Sequence, residues 1–124
     1  MDIVLADREA EIMEVLWDHG PSTVAEVRDR VPDDLAYTTV LSILRTLEAK
    51  GFVTHDPEGK AHRYSALIER DAARRSALRA MADKFFKGST AVLLTHFVAD
   101  EKLDAAALKR LRALLARRGR KAQS

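Results

Sequence analysis

Thr38, Thr39, Ser42, Arg45 and Thr46 lie close together, and they combine four short hydroxyls with one guanidinium and no carboxylate. If residues 36–50 form a helix, successive side chains turn by about 100°. Val40, Ile43, Leu44 and Leu47 then share one side. Thr38, Ser42, Arg45 and Ala49 lie opposite, flanked by Thr39, Leu41 and Thr46. Such a face suits the major groove of double-stranded DNA. Short side chains allow close approach, hydroxyls bond phosphates or base edges, Arg can fork onto guanine, and Thr methyls can meet thymine methyls. A Thr/Ser/Arg face taken alone is an ordinary solvated surface. The contrast with residues 5–19 gives it meaning, because there Glu9, Glu11, Glu14 and Asp18 are expected to point outward. A helix that meets phosphate must avoid such carboxylates.

A second group follows directly. Lys60, His62 and Arg63 stand just after Asp56-Pro57-Glu58-Gly59, a turn signal between residues 52–55 and 61–66. Two short arms around that turn predict a β-hairpin whose basic tip or edge can lie on a phosphate backbone. The same residues would equally protect an ordinary sheet edge. Tyr64 reads as a core residue.

The elements that must hold these groups can be read from the same chain. Residues 5–19 have helical spacing at Ile12, Val15 and Leu16, with Asp7 as the expected cap and Gly20-Pro21 as the stop. Ser22 is expected to cap a short second helix over residues 23–31, ended by Pro32. Gly51 is the expected left-handed stop of the third helix. Three helices and a hairpin within some 66 residues is the order of a winged helix-turn-helix. Beyond residue 70 the pattern is helical again, over residues 71–86, 90–98 and from a cap at Asp104 onward, with residues 117–124 expected to fray. The predicted fold is mainly α, with a winged helix-turn-helix in residues 1–68 and a helical dimerisation region with a basic tail in residues 69–124.

Composition narrows the function classes. The chain has 124 residues, 47% hydrophobic and 32% charged, as expected of a globular protein. It has no cysteine, which excludes disulfides, cysteine-ligated zinc and a Cys nucleophile. His19, His55, His62 and His96 fall on different elements and lack metal-ligand spacing; His55 and His62 could meet across the hairpin, but two ligands do not make a secure zinc site. No catalytic or phosphate-loop motif is present, so neither an enzyme nor a cofactor is expected. The first residues lack the features of a signal peptide and no stretch is long enough for a membrane helix, so a cytoplasmic chain is expected.

The net charge of +2 conceals an asymmetry. Residues 1–70 hold 8 Lys+Arg against 14 Asp+Glu, and residues 71–124 hold 13 against 5. The basic half is therefore the C-terminal one, whereas a nucleic-acid binder usually shows a basic face. Within residues 36–66 the balance is +1, so the acids sit mainly on the first two helices.

Residues 69–124 also suggest partnership. Phe85, Phe86, Leu93, Leu94, Phe97, Leu111 and Leu115, with Val92 and Val98, are more apolar groups than so short a segment buries alone. A self-complementary dimer would cover them.

Three blocks resemble a known family. LAYTTVLSILRTLEAKGFVTH at residues 35–55, GKAHRYSAL at 59–67 and LLTHFVADEKLDAAALKRLRALL at 93–115 are similar to the penicillinase repressors, the BlaI/MecI/CopY group. The resemblance implies a homodimer bound to a palindromic operator, with recognition contacts at Thr38, Thr39, Ser42 and Arg45 and wing contacts at Lys60 and Arg63. It implies control of β-lactamase, antibiotic-response or metal-homeostasis genes. The family's antibiotic-responsive branch is relieved by cleavage of an Asn-Phe bond; His96-Phe97 stands at that place, with a sensor-linked protease as the implied partner. The copper branch uses paired C-terminal cysteines, which this chain lacks.

Overall fold

The computed structural model describes residues 2–123. The chain runs α1 (Asp7–His19), β1 (Ser22–Thr23), α2 (Val24–Arg30), α3 (Tyr37–Ala49), β2 (Val53–Glu58), β3 (Ala61–Ala66), α4 (Arg70–Phe85), α5 (Thr90–Asp100) and α6 (Ala105–Gln123). It divides into two compact units, one ending at Ala80 and the other beginning at Met81.

The first unit is built on one apolar cluster. Ile12, Met13, Val15 and Leu16 of α1, Val24 and Val27 of α2, and Val40, Leu44 and Leu47 of α3 are buried together with Phe52, Val53 and Tyr64. Each helix thus places one stripe inward at the spacing its sequence predicts. Ile43, expected in the α3 stripe, is only half-buried. Gly51, at φ 83°, closes α3 in the left-handed region, and the Phe52 N–H returns to the Leu47 carbonyl at 3.0 Å. Trp17 Nε1 donates to the Ile68 carbonyl at 2.9 Å, and Arg70 pairs with Glu14 at 2.9 Å and with Asp18. The start of α4 is thereby stapled to α1.

The sheet has three strands in the order β1-β3-β2, all antiparallel, rather than the two of a simple hairpin. Ser22 does not cap α2. It is fully buried in β1 opposite Tyr64, and Thr23 caps instead, its Oγ1 accepting the Glu26 N–H at 3.2 Å while Glu26 accepts the Thr23 N–H. This reciprocal capping box satisfies two otherwise orphaned donors. The wing turn is also tighter than expected. β2 continues through Asp56, Pro57 and Glu58, leaving only Gly59 and Lys60 between the strands, with Gly59 at φ 61°.

Two expectations for α1 fail for one reason. Asp7 lies inside the helix, and the cap residue is Ala6, whose N–H is accepted by Glu9 Oε1 at 2.8 Å. Glu9 accordingly does not point outward. It is buried, and its two carboxylate oxygens each accept from Lys50 Nζ at 2.9 Å. Burial pushes the Glu9 carboxyl up, but the Ala6 N–H and the Lys50 ammonium outweigh it and hold it below its ordinary 4.5. A depressed folded-state pKa contributes stability that is present above the unfolded value and lost as pH falls through the folded one. We therefore expect Glu9→Ala to lower stability by about 1.5–3 kcal/mol at neutral pH, the usual worth of hydrogen bonds to a charged group. The deficit should shrink in urea titrations as pH drops below 4.5. An equal deficit at all pH values would remove the carboxylate from this role.

The second unit is helical. Ser89 caps α5 by accepting the Val92 N–H at 3.1 Å, and Asp104 caps α6 by accepting the Ala107 N–H at 2.7 Å. The stretch expected to fray is helical through Gln123; Ser124 lies outside the described residues. Phe85, Val92, Leu94, Phe97, Val98, Leu114 and Leu115 are exposed, Phe97 by 59% and Leu115 by 63%. Phe86, Leu93 and Leu111 are half-buried. No helix among the described residues is long and apolar enough to cross a membrane.

Candidate nucleic-acid interface

α3 carries the candidate face because its apolar stripe fixes its rotation. With Val40, Leu44 and Leu47 inside, Thr38, Thr39, Ser42, Arg45 and Thr46 are all exposed. Thr46 Oγ1 donates to the Ser42 carbonyl at 3.1 Å, which orients that hydroxyl and leaves its lone pairs outward. Arg45 makes no ion pair among the described residues, so its guanidinium has its donors available. The only carboxylate of α3, Glu48, is turned toward the sheet, where its two oxygens meet His55 Nδ1 at 2.7 and 2.8 Å. That contact joins the helix to β2.

α3 and the hairpin border a cleft of about 360 Å³ lined by residues including Tyr37, Leu41, Arg45, Glu48, Lys60, His62 and Tyr64. Tyr64 is buried on the central strand; burial first, and then the nearby Glu48 charge, push its hydroxyl above the ordinary 10.0 and keep it neutral. The His55 and His62 rings meet as the spacing suggested, with centroids 4.5 Å apart. Among the described residues no group of three His, Cys, Asp or Glu is placed to hold a metal ion.

The wing residues are not equivalent. Lys60 is exposed at the turn and His62 is exposed beside it. Arg63 is only partly exposed and is engaged by its own chain: it bonds Glu58 at 2.8 Å, pairs with Glu26 at 3.1 Å and donates to the Pro21 carbonyl at 2.9 Å. Side-chain hydrogen bonding to Glu58 chiefly raises its pKa. Its evident role is to tie β1, α2 and the hairpin together. Sequence reasoning missed this, and also the Glu9–Lys50 and Glu48–His55 contacts, since residues 41 and 7 positions apart carry no periodic signal of meeting.

Three packed helices with a hairpin flanking an acid-free exposed face on the third define a winged helix-turn-helix. The same fold is seen in the solved MarR family protein from Bacillus stearothermophilus, with a TM-score of 0.51, 14% identity, and coverage of 98% of this chain and 78% of that one. The chain belongs to the penicillinase repressor family, whose model matches residues 5–117. It is 36% identical over 98 residues to the transcriptional regulator BlaI of Mycobacterium tuberculosis, covering 76% of this chain and 71% of that protein. It is 22% identical over 113 residues to the methicillin resistance regulatory protein MecI of Staphylococcus aureus, covering 90% and 92%.

Proposed function

We propose that this protein is a homodimeric transcriptional repressor that reads a palindromic operator by inserting α3 of each subunit into the major groove. Residues 1–68 act as the reading head and residues 69–124 as the dimerisation region. The observation that carries this is the exposed face of α3, with Thr38, Thr39, Ser42, Arg45 and Thr46 presented together and Glu48 turned away. Lys60 and His62 add wing contacts; Arg63 supports the wing from within and offers what remains of its donors. Two such heads related by a twofold axis would address half-sites about 34 Å apart, one helical turn or a multiple of it.

Relatives named for penicillinase and for methicillin resistance support a reading of the target class. Antibiotic-response genes are the proposed targets. Relief of repression by a sensor-linked protease at His96-Phe97 is the proposed signal route; both residues are exposed on α5. A cut there would require local unwinding of that helix.

Arg45→Ala tests the assignment of this face. Arg45 is exposed, so the fold should be kept, while removing a bidentate guanine pair costs about 1–3 kcal/mol per half-site. A mobility-shift assay with genomic fragments should show specific binding by the parent and none by the variant. Equal operator affinity in both would mean that another face meets DNA.

A further inference from the structure

The first unit is a poor source of attraction for a polyanion. Residues 1–80 hold 11 Lys+Arg against 15 Asp+Glu. Several of those cations are engaged internally: Arg8 by Glu11 and Asp33, Lys50 by Glu9, Arg63 by Glu26 and Glu58, and Arg70 by Glu14 and Asp18. The candidate interface is left with Arg45 and Lys60.

α6 is the opposite case. Its 19 residues include Lys109, Arg110, Arg112, Arg117, Arg118, Arg120 and Lys121 and no carboxylate. All seven are exposed. At about 100° per residue, Lys109, Arg110, Arg117, Arg120 and Lys121 gather within one third of the helix circumference, opposite the stripe of Leu108, Leu111 and Leu115. Arg110, Arg117 and Arg120 make no ion pair among the described residues. From Lys109 to Arg120 the face runs about 16 Å, against one duplex charge per roughly 1.7 Å of axis.

We infer that the cationic face of α6 is a second contact for duplex DNA, binding phosphates without regard to base sequence. The inference rests on the proposed operator binding. It assigns the long-range, sequence-independent part of affinity to the second unit and base recognition to the first. An anionic lipid surface is the weaker fit. α6 has no aromatic residue of the kind interfacial helices insert, and Leu108 and Leu111 are already half-buried in the protein.

The test uses the full chain with Arg110, Arg117 and Arg120 each changed to Gln. Binding is measured by fluorescence anisotropy on two long duplexes of equal length, one carrying the operator with flanks and one scrambled, between about 50 and 200 mM salt. On both duplexes the slope of log K against log salt should flatten by about 0.9 for each phosphate that is no longer neutralised, about 2.7 per subunit. The ratio of operator to scrambled affinity should not change. The Lys triple variant at the same positions should keep the parent slope, which separates an effect of charge from an effect on folding. An unchanged slope on both duplexes with the Gln variant would overturn the inference. So would equal flattening by a variant with Arg74, Arg75 and Lys102 changed to Gln, because net charge would then be sufficient. Abolished binding to phosphatidylglycerol vesicles with unchanged DNA slopes would overturn it in favour of a membrane surface. Failure of the proposed operator binding looks different: the parent itself would show no preference for operator over scrambled duplex.

Discussion

Tyr64→Ala is expected to destabilise the first unit by about 3–5 kcal/mol, the cost typical of deleting a large buried aromatic side chain. Tyr64 is 2% exposed on the central strand, paired with Ser22 on one side and His55 on the other. Its ring centroid lies 5.2 Å from that of His55, and it lines the cleft that α3 shares with the wing. Its removal opens a cavity where three elements meet, and the neighbouring backbone, held by two ladders, cannot collapse into it. Urea denaturation should show a lower midpoint with little change in slope. Tyr64→Phe, which keeps the ring, should retain most of the stability. A Tyr64→Ala midpoint close to the parent's would mean that the wing is held by other contacts.

Phe97→Asp is expected to convert the proposed dimer to monomer at micromolar concentration. Phe97 is 59% exposed within one chain, so replacing it costs the isolated subunit little. In a twofold interface the same change would bury an unpaired carboxylate from each subunit, a penalty of several kcal/mol per group at roughly tenfold in affinity per 1.4 kcal/mol. Exposed Phe85, Leu94 and Leu115 and half-buried Phe86, Leu93 and Leu111 are the companions proposed for that interface. Sedimentation velocity should report the monomer with helicity preserved. A variant that still sediments wholly as dimer would move the interface away from α5.

The helices and the orientation of α3 were legible because burial imposes a periodic pattern. Val40, Leu44 and Leu47 set the rotation of α3, and the hydroxyls opposite them follow from it. The hairpin was legible from the change of period after Gly51, although Pro57 and Glu58 read as turn and fold as strand. Such an assignment is open to a proline on an outer strand, where a missing N–H disrupts no ladder. Other features left no local trace. β1 is two residues long, too short to show alternation. Glu9 has the composition of a surface residue and becomes internal only because Lys50, distant in sequence, reaches it. Arg63 reads as a phosphate contact until Glu26 and Glu58 are brought beside it. The C-terminal charge run reads as frayed, yet Ala and Leu spaced between the cations let it continue as helix to Gln123.

The order of strands in the small sheet bears on how copies of this protein can meet. One outer strand is only Ser22 and Thr23, and the other carries Asp56, Pro57 and Glu58 in succession. Neither border offers a long uninterrupted row of donors and acceptors on which a neighbour's backbone could zip. Ribbon-like growth from one molecule to the next is thus disfavoured at both margins. In the proposed dimer, contact between subunits is left to side chains on helices.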